Sequence, residues 1–226
     1  MLGRYPGRNF NRELPMAGKP QGSGAPAGVI RLPEPREDSD ASVESALRRR
    51  RSVREFAKAG LTLAEVSQLL WAAQGITGPD GKRTAPSAGA LYPLEVLLVA
   101  SGQYELPAGI YRYRPQAHAL LPVAQGDRRA RVAAAALDQP FLSDAPVTIA
   151  ITAVYERTSR EYRQRAERYV HMEVGHAAQN VHLQAVALGL GTVVVGAFDD
   201  AEVKRVLALA LNEQPLCLMP VGKPNA

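Results

Sequence analysis

The chain concentrates charge in Arg48-Arg49-Arg50-Arg51-Ser52-Val53-Arg54-Glu55-Phe56. Guanidinium groups are planar, permanently charged forks that match phosphate, and a serine hydroxyl adds a neutral hydrogen bond. If the backbone is extended after Arg50, the side chains of Arg50, Ser52 and Arg54 project to one side. That would make a phosphate grip. A solvated basic face or a nucleic-acid patch uses the same residue types, so this stretch alone leaves the anion open.

Two further stretches suit a flat ligand. Thr84-Ala85-Pro86-Ser87-Ala88-Gly89-Ala90-Leu91-Tyr92-Pro93 combines small residues with glycine, so backbone can approach a ring and its amides can hydrogen-bond it. Val194-Val195-Gly196-Ala197 reads as a strand end that lacks bulk in the same way. Other reactive side chains offer less. His171, His176 and His182 lie five and six residues apart, which does not align them on one helix face. His171-Met172-Glu173-Val174-Gly175-His176 lacks the four-residue histidine spacing of a zinc-protease helix. Cys217 sits in an apolar run with no base nearby. Gly189-Leu190-Gly191 follows a helix, the wrong context for a dinucleotide turn, and no Walker-type loop occurs.

The elements that must position these stretches are legible from periodicity. Val43, Ala46 and Leu47 predict an apolar stripe on a first helix, with arginines at its C-terminal end, where exposed carbonyls favour cations. Thr62-Leu63-Ala64-Glu65 is a capping box opening a second helix through Leu63, Val66, Leu69, Leu70 and Ala73, with Gly75 as its stop. Residues 76–90 form a long loop. Strands are expected at Leu94–Ala100, Gly109–Arg114, Leu120–Val123, Ala145–Val154, Thr192–Phe198 and Leu216–Val221. Helices are expected at Asp127–Leu137, at Asp199–Leu209 with Asp199 and Glu202 in capping positions, and continuously from Arg160 to Leu188. The last has a face of Val170, Val174, Ala177, Val181, Ala185 and Leu188, widened by Leu183, Val186 and Ala187, as in a central or interfacial helix. The fold class is therefore α+β or mixed α/β around one sheet.

Composition sets the bounds. A chain of 226 residues with 46% apolar and 22% charged residues can bury one substantial core, or form one domain with an arm. Residues 1–40, rich in proline and glycine, are expected as a partly disordered arm in which Val29-Ile30-Arg31-Leu32-Pro33 can lie on the body formed by residues 41–226. A net charge of +5 favours anionic ligands, yet no helix-turn-helix, RNA-recognition or zinc pattern accompanies the arginines, which argues against nucleic acid. One cysteine fits a reducing compartment. No apolar run approaches the roughly 18 residues of a membrane span, and the N-terminal residues lack a signal-peptide core, so a cytoplasmic location is expected.

Taken together, Arg50-Arg51-Ser52-Val53-Arg54-Glu55-Phe56, Pro86-Ser87-Ala88-Gly89-Ala90-Leu91-Tyr92-Pro93 and the run from Ala187 to Phe198 resemble the nitroreductase superfamily. More narrowly they resemble its SagB/ThcOx-like branch, which includes azoline dehydrogenases of peptide maturation. Leu69-Leu70-Trp71-Ala72-Ala73-Gln74-Gly75 and Glu173-Val174-Gly175-His176-Ala177-Ala178-Gln179-Asn180 add to the likeness, which runs from Ile30 to Pro224. The resemblance implies a nitroreductase-like α+β fold with a central mixed sheet surrounded by helices and a long buried helix at a dimer interface. It implies an FMN-dependent oxidoreductase, homodimeric, with flavin at the subunit interface. Arg50, Ser52 and Arg54, with Arg51 beside them, would hold the FMN phosphate and ribityl chain. Pro86, Ser87, Ala88, Gly89 and Leu91 would lie against the isoalloxazine from the other subunit, and backbone at Val195, Gly196 and Ala197 would approach the flavin N5 side. The flavin carries the hydride chemistry, so no catalytic acid or base is assigned. Electrons would pass between a donor such as NAD(P)H and a nitro compound or quinone. The alternatives are azoline oxidation on a modified peptide, or a non-catalytic flavin-binding partner. Two departures stand out: the chain stops at Lys223-Pro224-Asn225-Ala226, where relatives add basic residues near the phosphate, and Glu161-Tyr162 stands where azoline-oxidising relatives carry Lys-Tyr.

Overall fold

The computed structural model describes residues 28–102 and 105–225. Most of the expected arm, residues 1–27, lies outside the described residues. In chain order come β1 (Ile30–Arg31), α1 (Val43–Arg49), α2 (Leu63–Gln74), β2 (Leu94–Ala100), β3 (Gly109–Arg114), β4 (Ala119–Gln125), α3 (Arg129–Ala135) and α4 (Phe141–Asp144). They are followed by β5 (Val147–Ala153), α5 (Glu156–Tyr162), α6 (Ala166–Ala187), β6 (Gly191–Thr192), α7 (Asp200–Val206) and β7 (Gln214–Gly222). The strands form one sheet in the order β1-β4-β3-β2-β5-β7-β6. Its ladders are antiparallel, and a parallel bridge between Ser52 and Thr192 makes it mixed.

The two central strands are covered on both faces, which explains their unbroken apolar sequence. Val96, Leu98, Ile149 and Ile151 pack with Leu69 and Leu70 of α2 and Val170, Ala177 and Val181 of α6. Leu97, Val99 and Ala150, pointing the other way, pack with Val132 of α3, Leu142 of α4 and Val203 of α7. The capping box is present: Thr62 Oγ1 accepts from the Glu65 N–H at 3.2 Å, and Glu65 Oε2 accepts from the Thr62 N–H at 2.7 Å. Asp199 caps α7 by accepting from the Glu202 N–H at 2.9 Å. The Val29–Pro33 segment does lie on the body. Ile30 pairs with Leu120, Leu32 is buried, and His118 faces the Pro33 carbonyl with Nε2 and Tyr113 Oη with Nδ1.

Three expectations need correction. The helix from Arg160 to Leu188 is broken: α5 ends at Tyr162, Arg163 takes φ +49° and ψ −124°, and a 3-10 turn precedes α6. Tyr162 packs edge-on against Tyr169, 4.9 Å between ring centroids, so a tertiary contact folds the segment back. The strand expected at Thr192–Phe198 pairs only over Gly191–Thr192 and again at Val195. Its hydrogen bonds are divided: the Thr192 carbonyl accepts from the Val53 N–H at 3.0 Å, whereas Val195 exchanges bonds with Leu218. The stripe of α1 does not face the core either. Ala46 is buried, but Val43 and Leu47 are 64% and 52% exposed.

Candidate functional site

Arg50 ends α1. Its N–H bonds the Ala46 carbonyl at 2.9 Å, and its dihedrals, φ −51° and ψ 123°, turn the chain into extended backbone. The following residues are stitched to the far edge of the sheet. Ser52 bridges Thr192, Ala57 N–H bonds the Lys223 carbonyl at 2.9 Å, and Phe56 is buried beside Pro224. Gly191 permits this approach, because a Cβ there would lie 2.7 Å from the Val53 side chain. The extended segment leaves Arg51, Ser52 and Arg54 exposed and Arg50 half-buried. Among the described residues, none of the three arginines pairs with a carboxylate. Arg51 instead turns back onto the helix end, donating from Nη1 to the carbonyls of Arg48 at 3.0 Å and Arg50 at 2.7 Å. Arg54 lies over the Phe141 ring, 5.9 Å from its centroid.

Whether this place suits a phosphate can be judged from its buried polar atoms. Thr192, the bridge partner of Ser52, keeps a buried hydroxyl without a partner among the described residues, and so does Nδ1 of the buried His182. Burial, with the nearby positive charge of Arg50, lowers the His182 pKa. Orphaned buried polar groups are rare and call for an explanation. The Thr192 bridge to Ser52 and the closeness of His182 to Arg50 put these orphaned atoms in the neighbourhood of the unpaired guanidiniums, whose charge and forked geometry fit a phosphate monoester such as that of FMN. Three residues after Thr192, Val195 is buried, while Gly196 and Ala197 are exposed and nothing lies within 4 Å of a Cβ built on Gly196. The grip and the open backbone are thus contiguous.

The loop from Pro86 to Tyr92 is held elsewhere. Gly89, Ala90 and Tyr92 take φ of 62°, 53° and 46°, a left-handed region that disfavours the latter two residue types. Four contacts hold them there. Ala88 N–H donates to Glu173 Oε1 at 2.9 Å, Tyr92 N–H to Ser87 Oγ at 2.9 Å, and Arg157 Nη1 to the Tyr92 carbonyl at 3.0 Å. The Arg83 guanidinium lies 4.3 Å from the centroid of the Tyr92 ring. Pro86 and Gly89 are exposed, and Ser87, Ala88 and Leu91 are half-buried. A Cβ on Gly89 would meet the Tyr162 hydroxyl at 3.0 Å, so Tyr162 borders the outer side of the loop. Glu173, which anchors the loop, precedes His182 by nine residues on α6, about 14 Å along the axis at 1.5 Å per residue. Within the chain the arginine grip leads to the Val195–Ala197 backbone, and the Pro86–Leu91 loop is anchored about 14 Å farther along α6.

Sequence reasoning gave no role to Thr192, His182, Arg83, Arg157 or Glu173. Only an acidic residue on an otherwise apolar helix face could have marked Glu173, whose partner lies 85 residues away. Of the side chains set aside earlier, His182 borders the arginine grip beside Arg50. Burial pushes the Cys217 thiol up to about 12, His171 pairs with Tyr155 at the surface, and no metal-ligating cluster occurs among the described residues. No helix among them is long and apolar enough to cross a membrane.

Residues 47–223 match the nitroreductase family. The protein MJ1384 of Methanocaldococcus jannaschii, assigned as a nitroreductase, is 47% identical over 194 residues, covering 86% of this chain and 96% of its own. The microcin B17-processing protein McbC of Escherichia coli is 28% identical over 155 residues, covering 66% of this chain but only 57% of McbC. A crystal structure assigned as a nitroreductase from Ralstonia eutropha JMP134 superposes with a TM-score of 0.78 at 30% identity, covering 88% of this chain and 90% of the other.

Proposed function

Since the chain belongs to the nitroreductase family, in its SagB/ThcOx-like branch, we propose that it is an FMN-dependent oxidoreductase that works as a homodimer with flavin at the subunit interface. The observation that carries this reading is the run from the unpaired Arg50 and Arg54, past the orphaned Thr192 hydroxyl, to the open backbone at Gly196. It offers one anion site joined to one bare ledge, the two ends of a flavin mononucleotide. Bound FMN would supply the hydride acceptance and donation.

The chain's own residues bind and orient. Arg50, Ser52 and Arg54 take the phosphate, with the Thr192 hydroxyl as a further partner, and Arg51 contributes charge while its guanidinium caps α1. Backbone at Val195, Gly196 and Ala197 meets the N5 side of the ring. The Pro86–Leu91 loop, separate from the grip within one protomer, reaches the ring from the second subunit. The electron donor is NAD(P)H, the acceptor is a nitro compound or quinone, and the setting is a reducing cytoplasm.

A second reading, dehydrogenation of a modified peptide, is favoured by the similarity to McbC, a microcin B17-processing protein. Glu161, where that reading calls for lysine, weighs against it. An absorbance spectrum of the purified protein, before and after anaerobic NADPH, separates the two. The expected result is a yellow protein whose visible flavin band bleaches with the nicotinamide. A protein that is colourless and takes up no added FMN overturns the flavin reading. Bound flavin that neither NADPH nor NADH reduces shifts the assignment to the peptide dehydrogenase.

A further inference from the structure

Glu173 is an acid in an expensive place. It is 4% exposed on a helix packed against the core, and burial raises its pKa against the opposing effect of the Ala88 and Ser87 hydrogen bonds. A buried carboxylate without a salt-bridge partner is tolerated when its hydrogen bonds are well made. None of the salt bridges among the described residues includes Glu173. Its hydrogen-bond partner, Ala88, belongs to the Pro86–Tyr92 loop. Oε1 accepts from the Ala88 N–H at 2.9 Å, and the adjacent Ser87 hydroxyl, which also acts to lower the Glu173 pKa, accepts from the Tyr92 N–H at 2.9 Å. The Ala88 N–H bond ties the loop to Glu173, and one residue before it the Ser87 hydroxyl braces Tyr92.

The span it closes contains Gly89, Ala90 and Tyr92, all left-handed. Non-glycine residues persist there only when their surroundings over-determine them. The polar tie at the start of the span, at Ala88, leads to Glu173, and those at its end come from Arg157 and Arg83. Without the carboxylate, the start of the loop keeps bonds within the loop itself, Ala90 N–H to the Ser87 carbonyl, Leu91 N–H to that of Ala88 and Tyr92 N–H to the Ser87 hydroxyl.

We propose that Glu173 is a positioning residue, whose carboxylate fixes the Ser87–Tyr92 loop in its left-handed shape and thereby sets the surface that meets the isoalloxazine. The second half of this statement rests on the flavin reading above, and the first does not. The neutral isostere keeps one acceptor oxygen and the same volume, so Glu173→Gln retains most of the constraint, whereas Glu173→Ala removes it. Ser87→Ala removes the brace on the Tyr92 N–H without opening the core.

The test has two readouts. Amide hydrogen exchange over residues 84–94 of the flavin-free protein should accelerate in Glu173→Ala, rise less in Ser87→Ala, and stay near wild type in Glu173→Gln. FMN titration should show affinity lowered about tenfold in Glu173→Ala, the loss of charge-assisted hydrogen bonds, with a shifted visible band and with Glu173→Gln recovering most of both. Unchanged exchange in Glu173→Ala and Ser87→Ala overturns the loop constraint. Faster exchange with wild-type flavin affinity and spectrum overturns the positioning role and leaves Glu173 a structural acid. A wild-type protein that binds no FMN overturns the flavin reading, while the exchange data still decide the constraint.

Discussion

Arg50 and Arg54 flank Ser52 in extended backbone, and neither guanidinium has an acidic partner among the described residues. A surface arginine with nothing to pair with is unremarkable. Two on one side of a strand-like segment, next to the orphaned Thr192 hydroxyl, are not. A hydrogen bond to a charged group contributes about 1.5–3 kcal/mol, so replacing both arginines by alanine should weaken FMN binding about a hundredfold or more. Arg51→Ala should weaken it less, because that guanidinium is already engaged by the Arg48 and Arg50 carbonyls. Fluorescence titration of apoprotein with FMN measures both. Wild-type affinity in the double variant would move the phosphate elsewhere. The alternation of Arg50, Ser52 and Arg54 could be read in the sequence because it needs only a two-residue period. The orphaned atoms of Thr192 and His182 could not, since an unmet polar group is defined by neighbours from distant parts of the chain.

Elements divide along the same line. The start of α2 was legible because its Thr62–Glu65 box is complete within four residues. The break at Arg163 was not, because it depends on Tyr162 reaching Tyr169 and the neighbourhood of Gly89. A further non-local feature ties β3, β5 and the start of β7. Glu213, 3% exposed, accepts two bonds from Arg112 at 2.9 and 2.8 Å and one from the Thr152 hydroxyl, and Arg112 also reaches Glu95. Burial acts to raise the Glu213 pKa, but the bonds from Arg112 and Thr152 outweigh it and hold it below the ordinary 4.5. A carboxyl depressed on folding contributes stability that is present above its unfolded pKa and lost as pH falls through its folded one. Glu213→Gln should therefore cost about 2–3 kcal/mol at pH 7, where Arg112 loses its charged partner. Below the ordinary value of 4.5 the difference from wild type should shrink. Urea unfolding at both ends of this range checks it, and a loss independent of pH would show that Glu213 acts through packing alone.

At the scale of the whole molecule, two observations that look separate share one explanation. The sheet has both faces filled, yet α1 leaves Val43 and Leu47 in the open and α6 leaves Met172 so. Val43 borders, with Ala46, Trp71, Ala72, Leu183 and Ala187, a hollow of about 240 Å³ that Ser42, Asn180 and Gln184 also line. Contiguous apolar surface on a folded chain marks an interaction site. Separately, the Pro86–Leu91 loop and the arginine grip, both assigned to one flavin in the proposed function, are set apart along α6. A two-fold contact that buries the α1–α6 face would cover the exposed residues and set the loop of one subunit toward the grip of the other, since such an interface is self-complementary. The sequence carried half of this: the breadth of the α6 stripe was visible, but the outward turn of the α1 stripe was not, because periodicity marks a face without saying what it meets. Replacing Val43 and Leu47 together by glutamate should convert a dimer to a monomer in light scattering and lower FMN affinity in the same step. The coupling is the discriminating result. A variant that becomes monomeric yet binds FMN as wild type does would show each site to be complete within one subunit, and a variant that remains dimeric would place the interface on another face.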